Sequence, residues 1–470
     1  MLGPLIRRSR SELRSKERGF TMAMVAVAMA TIICVAALSI DLGTLYEAKA
    51  EAQRAADAAA LTAARVISVS GVTGTTQATW AQICGGASSP ATLAAISMAQ
   101  QNLIGGIAVA SGSVNVGYGA GSAGGSNADC STLGAAFAVN PIVTVSLQRT
   151  NLPVFFARIF SLFGRSYSGN SVSATATAEA FNPSGSVPLV PVHPRCVKPW
   201  FVPNQDPRNG AQIVSPTTGA IVTPGIAPAG PIGETFSLAV DCGPSGRRRG
   251  RCMPTDNPPK ATTGATPLLD YVPGQVSGPS LAIAANSAIS ACSEATTNDY
   301  SEAVAGCDQT TVYSCGDSLA NTVDLTEDPG PPRNDSVNGA QCLINATAPG
   351  PGNGQDVLAP DAAPYNYPFQ ITAGGNSALV SAGIASGKQI TSSPSIVSLP
   401  IYDSAAVTTL TPPTTSVTVI GFLQVFINNV NANGNINVTV MNVAGCGNSS
   451  PGPPLALGTS PVPVRLITPP

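Results

Sequence analysis

Apolar positions are distributed unevenly along this chain, and the sharpest concentration comes early. Phe20 to Ile40, FTMAMVAVAMATIICVAALSI, is a run of 21 residues without a charge. A bilayer core about 30 Å thick takes roughly 20 apolar residues in helical form, so residues 20–40 predict a transmembrane helix. A secretory signal peptide has a shorter apolar region, roughly 7–15 residues, ending at a small-residue cleavage site. Here the run is longer, and Asp41 and further helix-forming sequence follow it, so it reads as a retained anchor. Residues 41–67 contain no proline and are rich in alanine, with Glu, Lys, Gln and Arg between. Strong helix formers favour continuation beyond the span as a helical stalk. At 1.5 Å per residue, a continuous helix from Phe20 to Ala64 is about 67 Å long.

Beyond the stalk the pattern shortens. Residues 68–182 read as a small α+β unit. Ser89 and Pro90 open a helix through Leu93 that Gly105 closes. Val114, Val116 and Tyr118 alternate, as do Val143, Val145 and Leu147, and later Val172, Ala174, Ala176 and Ala178, each predicting a strand. Pro153 opens VFFARIFSLFG, and Leu152 before it falls on one helical stripe with Phe155, Phe156, Ile159, Phe160 and Phe163. Residues 183–364 have little periodicity except in Ser280 to Cys292, a predicted helix, and Gly350 to Pro364 reads as a linker. Residues 365–470 are β-rich, with SIVSLPIY, SVTVIGFLQVFI, NINVTVMNV and VPVRLI as strand-like runs of Val, Ile and Thr. A sheet of that kind needs a second layer or closure, and a sandwich is the expectation.

Charge orients the anchor. Residues 1–19 form a basic leader, with Arg7, Arg8, Arg10, Arg14, Lys16 and Arg18 against Glu12 and Glu17. The basic flank of a span stays in the cytoplasm, which places everything after Ile40 in the periplasm or outside the cell. Taking the leader's six basic and two acidic residues from totals of 23 and 25 leaves 17 and 23, a net of −6. That mild negative balance argues against a nucleic-acid partner. Only 10% of the 470 residues are charged, against about 25% in ordinary soluble domains. The 47 glycines and 41 prolines make turns frequent.

Of eleven cysteines, Cys34 lies in the span, and seven fall between residues 183 and 360. The ten outside the span suit disulfides in an oxidising compartment. No C-x-x-C pair exists, and the chain has one histidine, His193, so a zinc site lacks its usual ligands. Residues 183–364 therefore read as loop-rich and stapled by disulfides. Cys84 with Cys130 is the expected pair of the first unit, as no other external cysteine precedes residue 183. Cys242 with Cys252 would close a short loop around Arg247, Arg248, Arg249 and Arg251.

The string DLGTLYEAKAEAQRAADAAALTAA after a basic-flanked span beginning R-G-F resembles the N-terminal module of the Tad (tight adherence) pilus-assembly proteins, the TadE/TadG-like group. Gly19, Asp41, Gly43, Gln53, Ala56, Asp57, Ala58, Ala59, Ala60 and Leu61 carry the match, over about 50 residues. The resemblance implies a membrane-anchored component of a Flp-type pilus system in a bacterium. It also implies a pilin-like character for residues 68–182, where a V-x-A-x-A-x-A strand closes the unit. Prepilin-like members cut after a glycine carry Glu five residues into the mature chain, and Met24 stands there. Some TadG-like proteins hold a von Willebrand A metal site beginning D-x-S-x-S. The nearest string here, Asp129-Cys130-Ser131-Thr132-Leu133, lacks the second serine.

The remaining motifs are weak. Gly119, Gly121 and Gly124 satisfy G-x-G-x-x-G, but GGSNADC follows where a dinucleotide site needs a helix, so a hairpin loop is predicted. GIASGKQ, Gly383 to Gln389, departs from a phosphate-binding loop in spacing and in Gln389, and reads as a turn. Asn429, Asn431, Asn433 and Gly434 lack the carboxylates of a calcium loop and predict a β-turn. His193, between two prolines, has no partner set for base catalysis. No G-x-S-x-G, H-E-x-x-H or S-x-x-K constellation appears.

The expectation is thus a non-enzymatic α+β protein without cofactor or metal, anchored once in the bacterial inner membrane and acting in pilus assembly, anchoring or adhesion. Its partners would be the membrane, other Tad/Flp components or a second copy of itself. Ala26, Ala30 and Cys34 recur every four residues and offer a stripe on which another helix can pack closely. The alternative is an anchored or secreted adhesive protein whose β-rich end binds a ligand.

Overall fold

The structure is a computed structural model. It describes residues 9–467 except 75–76, 122–123, 154, 157–169, 187–188, 242–260, 263–266, 279–280, 282, 284–287, 317–320, 329–333, 360–368, 408, 412, 449–454 and 457. The chain opens with one unbroken helix, α1, Ser9–Val69. Strands β1 (Val114–Ala120), β2 (Pro141–Leu152) and β3 (Asn170–Ala180) follow. Next come β4 (Trp200–Pro203), β5 (Thr235–Val240), β6 (Leu268–Pro273), β7 (Ile396–Tyr402), β8 (Val419–Val430), β9 (Ile436–Gly445) and β10 (Val464–Ile467). The first sheet has the order β10-β3-β2-β1. The VPVRLI run therefore pairs with the Ala-rich strand, Leu466 opposite Ala178, and not with its sequence neighbours.

By contact density the chain divides into two compact units. One comprises 1–58, 96–115 and 145–175, the other 59–95, 116–144 and 176–470. The core of the second is a barrel of six strands in the order β4-β7-β8-β9-β5-β6, closed where β6 pairs back to β4 through Val272 and Phe201. This corrects the expected sandwich. A sandwich leaves strand edges open, whereas here the two ends of the sheet hydrogen-bond to each other and remove them. The barrel also runs across the expected division at residue 364. Strands β4, β5 and β6 come from the Cys/Pro/Gly-rich region and β7, β8 and β9 from the β-rich region, yet one barrel holds all six.

The run VIGFLQVFINNV does not alternate between buried and exposed positions. Nine consecutive residues of β8, Val419 to Ile427, are buried, so both faces of the strand are covered. One hydrophobic cluster includes Leu238, Leu269, Leu399, Val425 and Val438, and another includes Phe201, Val272, Tyr402 and Phe422. A strand covered on both sides reads as a continuous apolar run. The β8–β9 turn is built by Asn431, whose Oδ1 accepts the N–H groups of Asn433 and Asn435, with Gly434 at φ 86°.

The end of α1 docks against β9. Gly71 takes φ 72°, and a Cβ there would lie 2.8 Å from the Met441 carbonyl oxygen. Glycine alone accepts both that backbone state and that approach. Asn442 Nδ2 donates to the Ser68 carbonyl at 2.7 Å and to Thr73 Oγ1 at 3.0 Å. Asn182 Nδ2 donates to the same hydroxyl and to the Val443 carbonyl, both at 2.9 Å. Buried polar groups are tolerated where they satisfy one another in this way.

Among the described residues, four disulfides join Cys84 to Cys130, Cys196 to Cys307, Cys292 to Cys342 and Cys315 to Cys446. Cys242, Cys252 and the arginine run lie outside the described residues, as does most of the amphipathic helix expected after Pro153. The described helix near Ser280 to Cys292 spans Ser290–Ala295. Lys198 is fully enclosed in the larger unit and donates to the Ala303 carbonyl at 3.2 Å and to that of Gly306. Burial pulls its pKa down to about 7, against an opposing pull from Asp308.

Two outcomes follow. Replacing Cys315 and Cys446 together by alanine should lower the unfolding free energy by about 2–5 kcal/mol in a urea melt, as loss of a native bridge usually does. Lys198 binds its proton more weakly folded than unfolded, so stability should rise from pH 7 towards pH 10, with a slope of at most about 1.4 kcal/mol per pH unit from this group. Lys198→Met should flatten that slope when melts are compared across the range.

Candidate functional site

The signature residues lie along α1, and the structure divides them by depth. From Phe20 to Ala36 every residue is exposed, Ala26, Ala30 and the free Cys34 among them. Gly19 is the helical residue before this stretch. Asp41 is the first buried residue of the stretch that begins at Phe20, although Leu42 and Gly43 after it are exposed again. Its carboxylate is 5% exposed. Oδ1 accepts the backbone N–H of Phe155 at 3.0 Å, and Oδ2 that of Phe156 at 3.0 Å, with a longer contact of 3.3 Å from Phe156 to Oδ1. A carboxylate taken out of water needs such donors, and bonds to a charged acceptor are the stronger kind.

The next turns of the helix repeat the device with different chemistry. Glu51 Oε2 accepts the N–H of Gly105 at 2.7 Å. Gly105 has φ 60°. Lys49 donates to the Ser173 carbonyl, and Gln53 Nε2 to that of Thr175 at 3.1 Å, both on β3. Gln53 also holds Asp57 Oδ1 at 2.8 Å, an i,i+4 pair on one helix face. Asp41, Lys49, Glu51 and Gln53 thus bind main-chain groups of segments far along the chain. Main chain supplies the partner each time, so these contacts depend on backbone position and not on the partner's side-chain identity.

Alanine holds most of the buried positions from here to the end of the module. Ala52, Ala55, Ala56, Ala59, Ala60, Ala63 and Ala64 are all fully buried, while Ala58 and Leu61 are half-buried. A short side chain lets neighbouring backbone approach the helix closely. Gly43 is exposed, with no atom within 4 Å of a Cβ placed there, and nothing in the structure explains it.

A groove of about 240 Å³ opens beside this face, lined by Thr44, Ala48, Glu51, Gly105, Leu152 and Phe155 among others. In the larger unit a second groove of about 230 Å³ is lined by Gln355, Asp356, Asn428, Asn429 and Asn437. The other sequence candidates have structural placements. Asp129 accepts the Ser131 N–H at 2.8 Å and caps a short turn whose Cys130 is bridged to Cys84. Tyr118 and Asn127 exchange backbone bonds on either side of the glycine-rich stretch, of which residues 122–123 lie outside the described residues. GIASGKQ runs into the short strand Gln389–Ile390 with no helix after it. His193 is half-buried in the two-residue strand Val192–His193.

Sequence reasoning singled out Asp41 and Gln53 but gave no sign of their partners, and it passed over Lys49 and Glu51. The one available signal was a charged or amide side chain within an otherwise apolar, alanine-rich helix, since such a group needs a partner once buried.

Residues 19–66 match the model of the Tad family, described as putative Flp pilus-assembly TadE/G-like. The N-terminal module is therefore a Tad module, and Asp41, Glu51, Gln53 and the buried alanines all lie within it. No curated protein and no solved structure matches the chain.

Asp41→Ala removes the acceptor for two backbone donors. Hydrogen bonds to a charged group contribute about 1.5–3 kcal/mol, and about 1.4 kcal/mol is tenfold in an equilibrium. Amide exchange at Phe155 and Phe156 should speed up by at least about tenfold, read by hydrogen–deuterium exchange. Amides of β8 should exchange at the unaltered rate.

Proposed function

We propose that this chain is a non-enzymatic, single-pass membrane component of a bacterial Tad/Flp pilus-assembly system. Residues 1–19 lie in the cytoplasm, residues 20–40 cross the inner membrane, and the rest stands on the outer side. One observation carries the reading. The helix of the Tad module itself holds an 18-residue stretch with mean hydropathy 2.5, none of it buried by the rest of the fold. A contiguous apolar surface of that size left open by a folded chain marks an interaction with lipid or protein. The basic leader supports the orientation. The four disulfides support an oxidising compartment for the folded part.

In this reading the chain performs no chemistry of its own and needs no cofactor. It ties its folded part to the membrane and meets other pilus components through the α1 span. The exposed stripe of Ala26, Ala30 and Cys34 suits close packing with a second helix, either another component's or a second copy's. A second reading, an anchored adhesive protein, draws support from the amide-lined groove at Gln355, Asn428, Asn429 and Asn437, which suits a polar ligand. Deleting the gene separates the two. Loss of fibres supports assembly, and intact fibres with lost adhesion support the second reading.

Topology gives the direct check. A periplasm-dependent phosphatase fused after Pro470 should be active, and a reporter that matures only in the cytoplasm should be silent there. The reverse pattern overturns the orientation and with it the proposed role.

A further inference from the structure

We propose that Phe155 and Phe156 form a second contact with the lipid bilayer, at its interface, beside the α1 span. The inference rests on the anchoring reading above and goes beyond it, because it assigns a membrane role to two residues more than a hundred positions from the span in sequence.

Three observations converge. Phe155 is 60% exposed and Phe156 is 45% exposed, two large apolar side chains side by side. Their backbone N–H groups are both held by Asp41, so the position of the rings along α1 is set. Asp41 is the residue after Ile40, where the uncharged run ends. The rings therefore stand level with the last apolar turn of the span.

The same helix continues the apolar surface past this point. Leu42 is 48% exposed and Tyr46 69% exposed. At 1.5 Å per residue Tyr46 lies about 9 Å beyond Ile40, at the outer edge of the headgroup layer. Tyrosine is enriched at that level, where its ring and hydroxyl suit the boundary between chains and water. A bilayer is the occupant that fits, because the exposed rings are continuous with a helical surface that is itself exposed from Phe20 to Ala36. Phenyl rings partition into the headgroup and upper acyl region in the same way as the apolar face of an interfacial helix. The consequence is mechanical. A helix held at one height by two interfacial phenylalanines is fixed against sliding along the membrane normal, with Asp41 as the tie between them and the helix.

Site-specific photocrosslinking decides it. The full chain is reconstituted in vesicles of phosphatidylethanolamine and phosphatidylglycerol. A benzophenone analogue of phenylalanine replaces Phe155, Phe156 or, as the reference inside the span, Met29. Expected are lipid adducts at all three positions by mass spectrometry. Those at 155 and 156 should map near the glycerol end of the acyl chain and those at 29 near its far end. Lipid adducts at 29 with none at 155 and 156 overturn this inference and leave the anchor standing. Adducts to protein in place of lipid at 155 and 156 overturn it in favour of a covering subunit. Absence of lipid adducts at 29 overturns the anchoring reading, and this inference with it.

Discussion

A carboxylate next to an apolar span has to be either wet or fully bonded, and Asp41 is bonded. Its two oxygens take the main-chain N–H groups of Phe155 and Phe156. That arrangement marks the place where the helix stops being free on all sides and starts being packed. On one side of it lie exposed residues without a charge. On the other lie Glu51, Lys49 and Gln53, each satisfied by main chain, and a series of fully buried alanines. Burying an unpaired charge is costly, so the fold near Asp41 exists only if the loop is there to meet it.

The alanine content of the module has the same origin. Backbone donors and acceptors on neighbouring segments reach the helix's polar side chains only if nothing bulky stands between. Within the larger unit the close approach recurs at Gly71, where the chain turns out of α1 against Met441. There the polar work passes to amides. Asn442 and Asn182 bind carbonyls at Ser68 and Val443 and share one hydroxyl, Thr73. Neutral amides both donate and accept, so they tie helix end to barrel without burying charge.

Barrel closure is what makes the long, weakly patterned middle of the chain part of a core. Residues 183–364 contribute β4, β5 and β6, short strands separated by loops; Cys196 before β4 is bridged to Cys307 after β6, and Cys292 to Cys342 within the stretch that follows β6. A third, Cys315 with Cys446, joins them to the residue after β9. Each short strand alone would be a marginal edge, and closure gives every one two neighbours.

How much of this was legible differs by element, and the reason is the range of the interactions. The sequence by itself determined α1, because 21 uncharged residues followed by alanine-rich sequence favour one local conformation through bonds between residues four apart. It determined β1, β2 and β3 through alternation, the β8–β9 turn through Asn and Gly, and the Tad module through the order of its residues. Tertiary structure alone decided which strands pair, that VPVRLI joins the Ala-rich strand, that strands from both sides of residue 364 close one barrel, and that Asp41 meets Phe155 and Phe156. Strand partners and buried-charge partners are chosen by groups distant in sequence. A continuous apolar run such as β8 announces burial on both faces but carries no mark of whether a second sheet or a closed barrel provides it.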